Sequence, residues 1–287
     1  MTFTRGRALP GADRLRRDLG HLLLHLVLIA GAVSALFPFV WMVLNSLKGY
    51  TEAAAGLDIL PKRWLFSNYV TAWNQVGLFP RYFANSIFIG VATVLGVLVT
   101  STLAAYAFAR MKFPGRDALF LIMVATMIVP FEVTLVPNFI LMRDLNWIDT
   151  YQALIIPWSG SAFSVFLLRQ FFRSIPQDLY DAAVLDGASH LRFLIDIVVP
   201  LSKPALITSA LFTFLGSWNS LMWPLLVTNS PQMRPIQVGI ASFITDAGTQ
   251  VQLLLAAVTI SVVPIVLVYL LLQRWFIEGI ATVGLRG

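Results

Sequence analysis

Residues with chemistry to offer are few in this chain, and one polar stretch gathers a close group of them. Between residues 174 and 200 stand Asp178, Asp181, Asp186 and Asp196, with His190 and Arg192 among them. Acid–base or nucleophilic catalysis would need a nucleophile–base pair or a set of metal ligands at matching depth, and the chain offers neither. His21 and His25, four apart, could ligate a metal from one helix face. With no carboxylate or third ligand nearby they read as an interfacial pair. A phosphate loop requires Gly-x-x-x-x-Gly-Lys-[Ser/Thr]. The only lysines, Lys48, Lys62, Lys112 and Lys203, follow Leu47, Pro61, Met111 and Ser202, and none sits in such a loop. No metal, cofactor or ATP site is expected, and the chemistry left to the polar stretch is that of gripping another protein.

The rest of the chain is built to hold that stretch at a membrane. Of 287 residues 58% are hydrophobic and 12% charged, half the charge content of a soluble domain. Six stretches are long and apolar enough to cross a bilayer as helices: 21–44, 82–108, 118–136, 151–168, 204–226 and 253–273. The basic N-terminus and Ala32-Val-Ser-Ala35 imitate a cleaved signal, but the run 21–44 has the length of a full crossing and reads as an uncleaved first span. The net charge of +6 could suggest nucleic acid; its distribution fits membrane topology instead. Six spans put both termini, the 2–3 loop and the 4–5 loop on one side. That side holds Arg5, Arg7, Arg14, Arg16, Arg17, Arg110, Lys112, Arg116, Arg169, Arg173, Arg192, Lys203, Arg274 and Arg286. The other holds Lys48, Lys62, Arg63, Arg81, Arg143 and Arg234. The split of 14 to 6 places both termini and the polar stretch in the cytoplasm. No cysteine is present, so disulfides and thiolate metal sites are excluded.

The expected organisation is therefore a cytoplasmic tail (1–20), a first helix with its outer loop (21–81), a five-helix core (82–276) and a cytoplasmic tail (277–287). The loop from 49 to 81 suggests a short interfacial helix. The eight tryptophans fall mostly near span ends, as interfacial aromatics do. Span two carries Thr100-Ser-Thr-Leu-Ala-Ala-Tyr-Ala-Phe-Ala109, a small and hydroxyl face suited to close helix packing. Span three contains Pro130 and Pro137, which predict a kinked or broken helix.

Within 174–200, Ser174 and Gln177 match a capping box, with Pro176 tolerated in the first turn. Asp178 and Asp181 then suit the positive end of a helix dipole. Ile175, Leu179 and Ala182 share one face, and Ala182-Ala183 would let a partner approach closely. Gly187 ends the first helix. A second helix places Leu191, Leu194, Ile195, Val198 and Val199 on one face, before Pro200 and Pro204 break it. Periodicity alone fits equally a hairpin lying on the inner membrane surface.

The run Asp181-Ala-Ala-Val-Leu-Asp-Gly-Ala188, followed by Phe193, Ile197 and Pro200, resembles the "EAA" motif of ABC importer permeases. Asn85-Ser86, Phe166-Leu-Leu-Arg-Gln-Phe-Phe172, Trp218-Asn219, Trp223-Pro224, Gln273-Arg-Trp-Phe276 and the tail Gly284-Leu-Arg-Gly287 are similar to that family's carbohydrate-uptake branch, the maltose-type second permease. The resemblance implies an all-α membrane protein of six helices with the type I importer permease fold, its coupling motif formed by Asp181, Ala182, Ala183, Asp186, Gly187, Ala188, Phe193 and Pro200. It also implies four partners: a homologous second permease, two copies of an ABC ATPase, an extracytoplasmic solute-binding protein and a sugar or sugar-like substrate. One departure is plain: the motif's leading Glu is Asp181 here, one methylene shorter.

Three residues are candidates for the solute path. Glu132, between the prolines of span three, either faces a water-filled path or sits just beyond the hydrocarbon. Trp218 and Asn219, with Ser220 beside them, combine a stacking face with a polar edge, as a sugar path would want, although helix packing accounts for the asparagine too. A secondary transporter would instead carry charged relay residues in several spans and an internal repeat, and neither is evident.

Overall fold

The computed structural model describes residues 10–56, 58–74, 77–245 and 248–284. Sequence readings on Arg5, Arg7, Arg286 and the last residues of the 284–287 tail fall outside these, as do those on the side chains of Arg14, Arg16, Arg17, Arg274, Trp275 and Phe276.

Helix α1 (Pro10–Ser46) is the first crossing, followed by the short α2 (Tyr50–Ala55) and α3 (Ser67–Asn74). The turn after α1 is closed by side chains. Lys48, expected among the loop charges, is fully buried, and its ammonium donates to Asn45 Oδ1 at 3.0 Å and to the Asp58 carbonyl. Asn68 Nδ2 donates to the Ser46 and Lys48 carbonyls, at 2.8 Å each. A buried ammonium is tolerable only with such partners.

Helix α4 (Phe79–Arg110) runs unbroken through the middle of the chain. Helices α5 (Arg116–Ala125) and α6 (Phe131–Asp144) follow, the pair bent by 100° at Pro130, as the two prolines predict. Pro130 takes extended backbone at the start of α6 and Pro137 lies inside it. Helices α7 (Tyr151–Ile155) and α8 (Ala162–Ser174) form a second bent crossing, at 41°. The polar stretch folds as α9 (Gln177–Leu185), α10 (His190–Phe193), a π-helical turn (Leu194–Val198) and α11 (Val199–Leu201), from which α12 (Lys203–Trp218) departs at 81°. The span expected over 204–226 stops at Trp218, and α13 (Met222–Val227) is separate. Pro224 cannot continue α12, because its ring would meet the Ser220 carbonyl four residues back. Helix α14 (Ile236–Ala241), a two-residue hairpin of β1 (Ile244–Thr245) and β2 (Gly248–Thr249), and α15 (Val251–Gly284) complete the chain. Three unbroken helices and three bent pairs together make up to six crossings.

Helix α4 packs most extensively on α8 and α12. Ser101 and Ala105 are fully buried, and Thr100 Oγ1 donates to the Ser159 carbonyl at 2.7 Å. At Gly96 a Cβ would meet the Ser159 side chain at 2.6 Å, so only glycine permits this approach. Two tryptophans depart from the interfacial expectation: Trp218 and Trp223 are buried, at 1% and 2% exposure. Trp223 satisfies its indole by donating to the Ala153 carbonyl at 2.8 Å.

Asp149 ties the α6–α7 loop to the segment after α13. Its N–H donates to the Val227 carbonyl at 2.7 Å, and its Oδ1 accepts from the Asn229 and Ser230 N–H groups, both at 3.0 Å. Burial pushes its carboxyl up, but those bonds and the Arg234 charge outweigh burial and hold it below the ordinary 3.8. A depressed folded value stabilises the fold above 3.8 and loses that stabilisation as pH falls through the folded value. Asp149→Asn keeps the acceptor, tolerates the positive φ and removes the charge. Thermal unfolding in detergent should show it weaker than wild type by about 1 kcal/mol at neutral pH. The gap should close in acid, and one that persists there contradicts the assignment.

Candidate docking hairpin and central cavity

The hairpin begins differently from the capping box expected of Ser174 and Gln177. Ser174 is the last residue of α8, and its hydroxyl donates back to the Phe171 carbonyl at 2.8 Å. The proline at 176 forces Ile175 out of helical backbone (ψ 128), so Ser174 lies too early to cap, and Pro176 itself precedes α9. The inward residues also differ. Ile175 and Ala183 are buried, whereas Leu179 and Ala182 are exposed.

The turn explains the Asp-Gly-Ala triplet physically. Asp186 ends α9, Gly187 has φ +77, the Gly187 N–H donates to the Val184 carbonyl at 3.0 Å and the Ala188 N–H to the Ala183 carbonyl at 2.9 Å. This is a Schellman motif, which needs a left-handed residue at that position. Ser189 then caps α10 by accepting from the Arg192 N–H. On the second arm Phe193, Leu194 and Val198 are buried while Leu191 and Ile195 are exposed, so the single face expected of Leu191, Leu194, Ile195, Val198 and Val199 does not form. The π turn shifts the register in mid-arm. Its wider bore also accommodates Pro200, whose ring would crowd the Asp196 carbonyl in a regular helix.

One arginine fastens the hairpin to the spans and a second clasps the two spans together beside it. Arg110, at the end of α4, donates through Nε (3.1 Å) and Nη2 (2.8 Å) to the Phe172 carbonyl, and through Nη2 to the Ile175 carbonyl. These are open carbonyls at the C-terminus of α8. Arg169, on α8 and 6% exposed, donates Nε to the Phe108 carbonyl in the last turn of α4 at 3.2 Å, its guanidinium 3.8 Å above the Phe120 ring. Each helix thus caps the other. Arg110 also donates Nη1 to Gln177 Oε1 at 3.0 Å, and Gln177 Nε2 donates to Asp181 Oδ1 at 3.1 Å. Asp181 is thereby connected to span two. A second tie runs through His190, expected only to be solvated. Its Nδ1 lies 2.8 Å from the Tyr106 hydroxyl, and its ring stacks on Tyr180. Under these ties one apolar core joins Ala105 and Tyr106, Leu168 and Phe172, Ala183 and Phe193. The outward tip is left bare, with Asp186 and Gly187 exposed and Leu185 at 88%.

Toward the other end of α4 the fold encloses a cavity of about 400 Å³, lined among others by Ser86, Thr93, Phe131, Trp158, Thr213, Gly216, Ser217, Ser220 and Trp223. None of the three expected path residues lines it. Glu132 is exposed in the first turn of α6, next to the lining Phe131. Trp218 packs between Phe214 (5.6 Å, stacked) and Phe83 (5.7 Å, edge-on). Asn219 is exposed and ends α12. The wall residues of α12 are 213, 216 and 217, continued by 220 just beyond its end, a stripe at helical spacing that puts residue 218 on another face. Ser220, expected beside Asn219, does line the cavity; the stripe at 213, 216 and 217 was legible in the sequence and was missed, as were the ties of Arg110 and Arg169. Asn85-Ser86 holds the loop beside the cavity: Asn85 Nδ2 donates to the Gln232 and Arg234 carbonyls and Ser86 Oγ accepts from the Ile236 N–H.

Comparison with known proteins bears on what this architecture is. Residues 92–282 match the family model described as "Binding-protein-dependent transport system inner membrane component". The chain is 33% identical over 255 residues to the arabinooligosaccharides transport system permease protein AraQ of Bacillus subtilis, covering 88% of this chain and 91% of that protein. It is 36% identical over 264 residues to the sn-glycerol-3-phosphate transport system permease protein UgpE of Yersinia pestis, covering 89% and 94%. Among solved structures it resembles a chain of a bacterial ABC transporter that imports the acidic polysaccharide alginate, with TM-score 0.79 and 26% identity over 94% of this chain and all of that one.

The turn itself can be tested. Nothing lies within 4 Å of a Cβ at Gly187, so a substitution there is penalised by backbone alone. Gly187→Val should lose at least about 1–2 kcal/mol of stability and open the hairpin to protease, whereas Gly187→Asn, which tolerates the left-handed region, should lose much less. Equal losses in the two variants contradict the Schellman assignment.

Proposed function

The chain belongs to the binding-protein-dependent transport system inner membrane component family, and from that membership we propose how its hairpin and spans work as part of an importer. It is an integral inner-membrane permease subunit of an ATP-driven importer of sugars or sugar-like solutes. In the proposed assembly it pairs with a homologous permease, two ATPase copies sit beneath, and a solute-binding protein delivers from outside. ATP hydrolysis belongs to the ATPases. The 14-to-6 distribution of basic residues supports cytoplasmic termini and a cytoplasmic hairpin.

The observation that carries the coupling reading is the contrast between the two sides of the hairpin. Its inner side is fastened to α4 by Arg110 and His190, with Arg169 clasping α8 to α4 above it, while its tip presents Leu185, Asp186 and Gly187 to solvent. A large exposed leucine beside a tight turn, backed by a rigid core, suits insertion into a cleft on another protein. Closure of the ATPases around nucleotide would move the tip, and the ties would pass that movement to α4, α8 and α12 rather than dissipate it within the hairpin. Asp181, Ala182, Ala183, Asp186, Gly187, Ala188, Phe193 and Pro200 are the coupling motif in this reading. Ala183, Phe193 and Gly187 shape it, and Asp181 meets Gln177 on its own helix. The shorter acid is thus engaged within the chain, on a line to Arg110. Glu132, Trp218 and Asn219 keep at most a supporting place beside the path.

Leu185→Asp tests the reading with little risk to the fold, since the side chain it replaces is already in solvent. The variant chain should reach the membrane and melt like wild type, yet retain less than about a tenth of the co-purifying ATPase, a loss of at least about 1.4 kcal/mol in the contact. Undiminished ATPase recovery together with normal uptake contradicts the docking role.

A further inference from the structure

Four buried side-chain polar atoms have no partner among the described residues, on Thr93, Trp218, Arg234 and Gln252, and of these residues only Thr93 belongs to the cavity wall. Thr93 lies midway along α4 at 3% exposure, and its hydroxyl makes no hydrogen bond among the described residues. A helical threonine commonly returns its hydroxyl to the preceding turn, as Thr208 does to Pro204 and Thr259 to Leu255. Thr93 does not, and a buried hydroxyl left bare costs free energy unless something else takes the bond.

The surroundings define what that something is. Ser86, Ser217 and Ser220 add hydroxyls to the same wall, and Trp158 and Trp223 add indole rings whose centroids are 5.6 Å apart at 82°. Hydroxyls that both donate and accept, set beside aromatic faces, match a ring carrying hydroxyl edges and an apolar C–H face. No lining residue is ionisable. Arg234, which precedes the lining Pro235, is not in the wall, and its charge acts on Asp149. Glu132, which follows Phe131, carries the sign that repels an anion. An anionic solute would need a cation or a set of aimed N–H donors to replace its water, and this wall supplies hydroxyls and rings. At about 400 Å³ the space falls within the usual range of small-molecule sites.

We propose that this subunit itself contacts the transported solute in the cavity walled by Thr93, Ser217, Ser220 and Trp158, and that the solute is an uncharged saccharide. The proposal rests on the permease reading and narrows it. It sets the cargo of this chain apart from glycerol phosphate and from uronate polymers, both anionic, and beside neutral oligosaccharides.

The test uses the complete complex, with its partner permease, ATPases and binding protein, in proteoliposomes holding ATP. Uptake of labelled arabinotriose, maltotriose, glycerol 3-phosphate and a uronate trisaccharide is followed for wild type, Thr93→Val and Thr93→Ser. Neutral trisaccharide should enter and the two anions should not. Thr93→Val should lower kcat/KM for the neutral probe roughly tenfold, the loss of one hydrogen bond to solute, and Thr93→Ser should restore most of it. Because Thr93 has no protein partner, a purely structural role predicts that the valine variant is neutral or stabilising, so its melting temperature should hold or rise. Wild-type uptake by Thr93→Val overturns the proposal, as does wild-type transport of an anion in preference to the trisaccharides, which would leave the permease reading standing. ATP-dependent uptake of none of the probes by an assembled complex would overturn both.

Discussion

Every helix ends with carbonyls that its own backbone cannot satisfy, and where such an end is packed inside the protein they cannot be left to water. The exchange of arginines between α4 and α8 answers that constraint at the one place where the chain turns into its polar hairpin. Arg110 takes the carbonyls of Phe172 and Ile175, and Arg169 takes that of Phe108. Remove either and the carbonyls at one helix end lose their charged donor. Charged donors also hold direction, so the clasp constrains how α8 hands over to α9. The Schellman turn is local to its own residues, whereas the packing of Ala183 and Phe193 on the spans depends on that handover.

Helix α4 then becomes the common shaft of the molecule. It contributes Ser86 and Thr93 to the cavity and Arg110 to the hairpin, and at 1.5 Å per residue Thr93 and Arg110 stand about 25 Å apart. A straight, unbroken helix over that distance can carry a displacement, whereas the neighbouring crossings are bent at 100°, 41° and 81°. The first two breaks border the cavity, where Phe131 follows the bend at Pro130 and Trp158 precedes the bend into α8, and Ser220 adds the end of α12. Rigidity along α4 and irregularity around the cavity are the arrangement that would let a push at one end change the shape of a chamber near the other.

How much of this the sequence disclosed follows from which interactions are local. Crossing number, the proline break in span three, the glycine turn at 187 and the small-residue face of span two rest on composition and neighbours in the chain, and each was legible. The motif Asp181–Ala188 was recognisable because its turn chemistry is compact. Long-range pairings were not: Arg110 meets Phe172 across 62 residues and Tyr106 meets His190 across 84, and no local pattern marks them. The inward face of the second arm was misread because a π turn changes the period in mid-arm. Of the group Trp218, Asn219 and Ser220, chosen for its chemistry, helical rotation leaves only Ser220 at the cavity and adds Ser217.

The central claim is that the hairpin and α4 move as one body. The chain has no cysteine, so one spin label can be placed at the exposed Leu191 on the hairpin's second arm and one at the exposed Leu103 on α4. Their separation is then measured by pulsed electron resonance in the assembled complex, without nucleotide and with ATP trapped. A distance between the two labels that stays constant, while each moves relative to a label on the partner permease, is the predicted result. A change of several ångströms between Leu191 and Leu103 would show the hairpin flexing on its own and contradict the account.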